Sequence, residues 1–119
     1  MTRITVLYES GLITGFEAEG HTGYADRDHD IVCAGVSALT QTAYLGLAEI
    51  VGADVDIYQG DGVLRLRLGR ELSEKQREQA ELILGTMVSG LSSIEENYSH
   101  RLLSCLISSG SPLPIASED

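Results

Sequence analysis

The sequence predicts an α+β fold of order ββαββα, in which an antiparallel sheet built from two hairpins packs with two long helices. Two observations carry this expectation. Two pairs of short segments alternate apolar and polar residues, and each pair is joined by a glycine-containing turn. After each pair comes a longer segment whose apolar residues recur every three or four positions. The 119 residues, 43% of them hydrophobic, carry no composition break before the C-terminal end. One domain over residues 1–103, followed by a tail over 104–119, is therefore the expected organisation.

The first hairpin is read from RITVLY, residues 3–8, where Ile4, Val6 and Tyr8 share a face. The turn Glu9-Ser10-Gly11 leads to the second strand, LITGFEAEG. From Asp30 the period changes. Val32, Val36, Leu39, Ala43, Leu47 and Ile50 draw one apolar stripe along a helix, and Gly52 is its expected C-cap. Residues 54–59 and 63–68 form the second hairpin around Gly60-Asp61-Gly62, with Leu64, Leu66 and Leu68 alternating against Val63, Arg65 and Arg67. Ser73-Glu74-Lys75-Gln76 fits a capping box. It opens a second helix with its stripe at Ala80, Leu84, Met87, Leu91, Ile94 and Tyr98. The last segment, SCLISSGSPLPIASED, is Ser-rich with two prolines and ends acidic, so no core is expected to need it.

Charge narrows the function classes. With 18 acidic against 8 basic residues the formal net charge is −10, which repels phosphate backbones and anionic lipid and attracts basic partners. No direct nucleic-acid or membrane partner is expected. The start, MTRITVLYESG, lacks the pattern of a signal peptide, and no apolar run approaches the roughly 20 residues of a bilayer span, so the expected location is cytoplasmic. Cys33 and Cys105 stand in different contexts, which argues against a disulfide scaffold.

Reactive side chains concentrate in one stretch, GHTGYADRDHDIVCAGVSAL, residues 20–39. If the helix begins after Asp30, that aspartate is its N-cap and Cys33 lies in the first turn. Unpaired amides and the macrodipole favour negative charge there, and a thiolate is the better nucleophile. His21 precedes Cys33 by 12 residues, and a loop of that length can return an imidazole to the sulfur as its activating base. Asp30 is placed to orient an imidazole, and Ser37 falls one turn beyond Cys33 on the same face. Free amides near Val32 and Cys33 are candidate donors to an oxyanion. On spacing alone, a lone Cys is more often a small core residue and a lone His a loop residue. A metal reading through His21, His29, Asp30 and Cys33 is also open, although the set lacks the closely paired ligands of common structural zinc sites.

The same stretch resembles the ribosomal-processing cysteine protease family, Prp, whose hallmark is Gly-His, a short loop and Asp-Ile-Val-Cys-Ala opening a helix of small residues. Here those are Gly20-His21 and Asp30-Ile31-Val32-Cys33-Ala34. AELILGTMVSGLSSIEENY, residues 80–98, is similar to the second helix of that family, so the resemblance spans residues 3–103. It implies a cytoplasmic, homodimeric cysteine endopeptidase that removes a short N-terminal extension from a large-subunit ribosomal protein. Cys33 would be the nucleophile and His21 the general base and acid, with Asp30 and Ser37 in support and no metal or organic cofactor. The chain departs from the pattern at Asp28, where the family is expected to carry glycine, and at Thr22, where alanine is common.

The remaining expectations combine this likeness with composition. Residues 22–29 (Thr22, Gly23, Tyr24, Ala25, Asp26, Arg27, Asp28 and His29) hold little apolar content and are expected to form a flap over the bound peptide. Apolar positions in the second helix continue through Leu102 and Leu103, more surface than one small sheet covers, which supports the homodimer. The competing function is a noncatalytic, ribosome-associated module that holds a basic protein on its acidic surface, with Cys33 structural.

Overall fold

A computed structural model describes residues 2–20, 27–60, 62–102 and 105–110. Strands β1 (Thr2–Glu9) and β2 (Leu12–Gly20) form the first hairpin, and α1 (Arg27–Leu45) follows. Next come β3 (Val55–Gly60), β4 (Val63–Leu68), α2 (Glu74–Leu102) and β5 (Cys105–Gly110). The sheet order is β3-β4-β2-β1-β5. β2 and β4 pair antiparallel at the centre and join the two hairpins into one sheet.

The α+β expectation holds in its main parts. In the first hairpin Ser10 (φ 53°) and Gly11 (φ 82°) are both left-handed, the two-residue geometry whose twist matches the flanking strands. A bulge between Leu7 and Tyr8 shifts the register, so that Ile13 and Phe16, three apart, both reach the core. The paired rows Ile4–Ala18–Leu64 and Val6–Phe16–Leu66 share one sheet face and pack with α1 and α2 in a single core. β2 and β4 approach closely at Gly15, where a Cβ would overlap the Leu66 carbonyl oxygen.

The capping box forms as expected. The Ser73 amide donates to Gln76 Oε1 (3.0 Å) and the Gln76 amide to Ser73 Oγ (3.1 Å). Gln76 Nε2 also donates to the carbonyls of Val51 (3.4 Å) and Gly52 (3.2 Å), tying the start of α2 to the end of the preceding helical segment. Gly52, at φ 70° and ψ 29°, is the C-cap.

The two helices run antiparallel and interlock through glycines. A Cβ at Gly35 would stand 3.3 Å from Ile94 Cδ1, one at Gly90 3.0 Å from Leu39 Cδ1, and one at Gly46 3.3 Å from Ile83 Cδ1. Each notch on one helix thus receives a branched side chain of the other.

Three expectations are corrected. α1 begins at Arg27, four residues before the expected start, so Asp30 is not its N-cap. That opening turn is polar and gave no apolar period to mark it. Ile50 does not continue the α1 stripe. The helix widens to i→i+5 winding over Gly46–Val51, which changes the phase of its side chains and leaves Ile50 82% exposed. Finally, part of the expected tail joins the sheet. β5 pairs parallel with β1 from Thr2↔Cys105 to Leu7↔Gly110, occupying backbone groups that would otherwise form an open edge. Residues 111–119 lie outside the described set.

Candidate active site

β2 delivers the chain to Gly20, and α1 then runs back across the sheet. Cys33 is the seventh residue of α1 and is half-buried. A groove of about 380 Å³ opens beside it. Its α1 wall carries Cys33, Ser37 and Gln41, residues four apart and hence stacked turn by turn, with Thr40 alongside. Gly20, Gln59, Gly60 and Gly62 line the side formed by the strand ends, and Ala18, Val36 and Leu64 supply its apolar part.

The groove differs in character between wall and floor. Ala18, Val36 and Leu64 are buried and small or medium in size, whereas Ser37, Gln41 and Gln59 are exposed hydrogen-bonding groups. Thr40 is buried, and its hydroxyl donates to the carbonyls of Val36 (3.0 Å) and Ser37 (3.2 Å), so it is satisfied within the helix. Glu19 is the one charged residue lining the groove among the described residues, and its carboxylate lies 3.8 Å from the Arg3 guanidinium across the hairpin. Mixed apolar and hydrogen-bonding surface of this kind suits an extended peptide, which presents a backbone and alternating side chains.

Several sequence-predicted residues meet here. Cys33 and Ser37 share the groove, and so does Gly20, the residue before His21. His21 and the flap residues Thr22, Gly23, Tyr24, Ala25 and Asp26 lie outside the described residues, as do the side chains of His29 and Asp30. Arg27, Asp28 and His29 belong to the opening of α1 rather than to a loop, which corrects the expected flap at its C-terminal end. The expected oxyanion donors are corrected as well. In a helix that starts at Arg27, the amides of Val32 and Cys33 fall beyond the first four and enter the i→i−4 ladder. The macrodipole argument for Cys33 weakens for the same reason, since that field decays within the first turn.

Sequence reasoning missed Thr40, Gln41 and Gln59. Gln41 was within reach, since Cys33, Ser37 and Gln41 repeat at the helical interval of four. Gln59 carries no such signal, because its place depends on which strand neighbours β4. Among the described residues no group of three or more His, Cys, Asp or Glu is arranged to hold a metal ion. Of the four residues read as candidate ligands, only the side chain of Cys33 is described. No helix among the described residues is long and apolar enough to cross a membrane.

Comparison with known proteins bears on the whole arrangement. A family model described as cysteine protease Prp matches residues 1–102. The ribosomal processing cysteine protease Prp of Bacillus subtilis is 29% identical over 97 residues, covering 80% of this chain and 86% of that protein. Its counterpart in Staphylococcus aureus is 31% identical over 97 residues, covering 79% and 87%. A crystal structure of an essential ribosomal processing protease Prp from S. aureus, with a covalently linked product peptide, superposes with a TM-score of 0.76 at 26% identity. That match covers 92% of this chain and all of the other. A second S. aureus Prp structure, with a substrate peptide, gives 0.74 at the same identity and covers 94% of this chain. Matched over most of its length in family model, sequence and fold, the chain belongs to the Prp family of cysteine proteases.

Proposed function

We propose that this chain is a cytoplasmic cysteine endopeptidase that removes the N-terminal extension of a large-subunit ribosomal protein, with Cys33 as nucleophile and His21 as its base. One observation carries the assignment to these residues: Cys33 lines a peptide-sized groove that also holds Gly20, the residue immediately before His21. The similarity to the ribosomal processing proteases of S. aureus and B. subtilis supports the ribosomal substrate, and the peptide complexes of the S. aureus protease support a peptide in the groove.

In this reading the His21 imidazole takes the proton of the Cys33 thiol, and the sulfur attacks the scissile carbonyl carbon. The C–N bond of the collapsing tetrahedral intermediate breaks as imidazolium returns the proton to the leaving amine, which leaves a thioester. Water, deprotonated by the same imidazole, then hydrolyses the thioester and restores the thiol. Asp30 and Ser37 support the pair. Ser37 is one turn from Cys33 and lines the same groove. The acidic chain, at net charge −10, suits a partner as basic as a ribosomal protein. The enzyme acts as a homodimer, a reading supported by the exposed apolar side chains of Leu45, Ile50 and Leu82.

The test is a peptide copying the N-terminus of the large-subunit ribosomal protein from the same organism, incubated with the protein and mapped by mass spectrometry. A single internal cut that disappears in Cys33→Ala is the expected result. Stoichiometric binding of the peptide with no cut would assign the chain to the noncatalytic alternative.

A further inference from the structure

Gly62 has no side chain to offer any reaction, yet it lines the groove and meets the strand end that leads to His21. Its φ of +68° already favours glycine. A Cβ at this position would also overlap the carbonyl oxygen of Gly20. In the same contact the Gly20 amide donates to the Gly62 carbonyl at 2.9 Å. This bond lies one residue past the last β2–β4 pair, Glu19↔Val63, while on its other side Gly20 is paired with Thr2 of β1. Gly20 is thus gripped from both neighbours at the point where β2 ends.

We propose that Gly62 is a positioning residue for the proteolytic reaction: its carbonyl, and the absence of a side chain, fix the end of β2 at Gly20, the residue bonded directly to His21. The inference rests on the reading of His21 as the base. The physical argument is that the atom a new Cβ would strike is backbone. A side-chain tip could swing aside, but Gly20 can yield only by moving its own peptide unit. Consecutive Cα atoms are held about 3.8 Å apart, so that displacement passes directly to His21. Misplacement of a reacting group by about 1 Å can cost on the order of 100-fold in rate.

Gly52 provides the matched control. It has φ +70°, the same backbone strain, but nothing within 4 Å of its would-be Cβ, and it does not line the groove. The experiment compares Gly62→Ala, Gly62→Asn, Gly52→Ala and His21→Ala with the unaltered chain. Asparagine tolerates left-handed φ, so it isolates the overlap with Gly20 from the strain. Two readouts are taken: kcat and KM on the ribosomal peptide, and the pH profile of Cys33 alkylation by iodoacetamide with Cys105 replaced by Ser throughout. Both Gly62 variants should lose about 100-fold in kcat with KM nearly unchanged, and their alkylation profiles should move toward that of His21→Ala. Gly52→Ala should keep the turnover and the profile of the unaltered chain. Folded Gly62 variants with unaltered kcat and profile would overturn the proposal, as would an equal loss in Gly52→Ala. If neither Gly62 variant folds, amide exchange in the unaltered chain decides: strong protection of the Gly20 amide supports the clamp, and exchange at the open-chain rate refutes it. A His21→Ala protein with full turnover would instead reject the base, which separates failure of that reading from failure of this one.

Discussion

Replacing Cys33 by alanine separates chemistry from architecture, because Cys33 is not one of the buried residues that make up the core. The residue is half-buried and lies in the interior of α1, six positions after Arg27, not in its cap. Removing one partly exposed sulfur gives up only a few tens of Å² of buried surface, about 0.5 kcal/mol. Alanine in a helix interior returns a similar amount, about 0.5 kcal/mol, through its higher propensity. The net change should be smaller than about 0.5 kcal/mol, or a shift of no more than about 3 °C in Tm for a domain of this size. Turnover should fall by at least about 10⁴-fold, since what remains after loss of a nucleophile is binding and electrostatic stabilisation alone. Thermal unfolding followed by circular dichroism and peptide cleavage followed by mass spectrometry read the two quantities on the same preparation. Cleavage at more than about one-hundredth of the original rate would refute the thiol mechanism. A large loss of stability would instead mean that Cys33 belongs to the packing.

Other substitutions probe the scaffold and the assembly. Leu66→Ala, at a fully buried position of β4 in the β2–β4 pair, should cost about 2–5 kcal/mol in urea unfolding. Ser73→Ala should cost about 1 kcal/mol by removing one arm of the capping box. Gln76→Ala should cost more than Ser73→Ala, because it also releases the carbonyls of Val51 and Gly52; equal effects would show that this tie contributes nothing. Cys105→Ser should leave cleavage unchanged, since β5 is at the sheet edge opposite β3, and a loss like that of Cys33→Ala would make Cys105 the nucleophile. Light scattering at micromolar concentration should give twice the 12.8 kDa mass, and a monomer mass would remove the dimer from the proposal.

What the sequence disclosed and what it concealed follow a physical division. Local signals were legible. Ser73 and Gln76 are three residues apart and bond each other, Gly52 ends a helix by its own φ, and the alternation of Leu64 and Leu66 reports one buried face. The nucleophile candidate was legible too, through chemistry concentrated around Gly20-His21 and Asp30–Cys33, although the groove beside Cys33 was not. Gln59 and Gly62 join it only because β4 pairs with β2, a contact between segments more than 40 residues apart. β5 was hidden for the same reason, with the added difficulty that a parallel partner needs no turn signal next to it. The start of α1 was misplaced because Arg27, Asp28 and His29 are all polar and carry no periodic apolar signal, so the apolar pattern begins only at Val32.

The interlocked glycines of the helix pair carry a consequence for how the chain can change over time. Gly35 against Ile94, Leu39 against Gly90, and Gly46 against Ile83 act as wards in a lock, distributed along both axes. Sliding either helix by one turn, about 5.4 Å, would drive a branched side chain out of its notch and against the ridge beside it. The longitudinal setting of α1, and with it the station of Cys33, is therefore keyed by α2, which does not line the groove among the described residues. Bulk gained at Gly90 must be met at Leu39, by a shift of its Cδ1 or by a smaller side chain there, as with Gly90→Ala beside Leu39→Val. Drift in this sequence is thus constrained in couples, and a residue remote from the thiol inherits part of the constraint on the thiol itself.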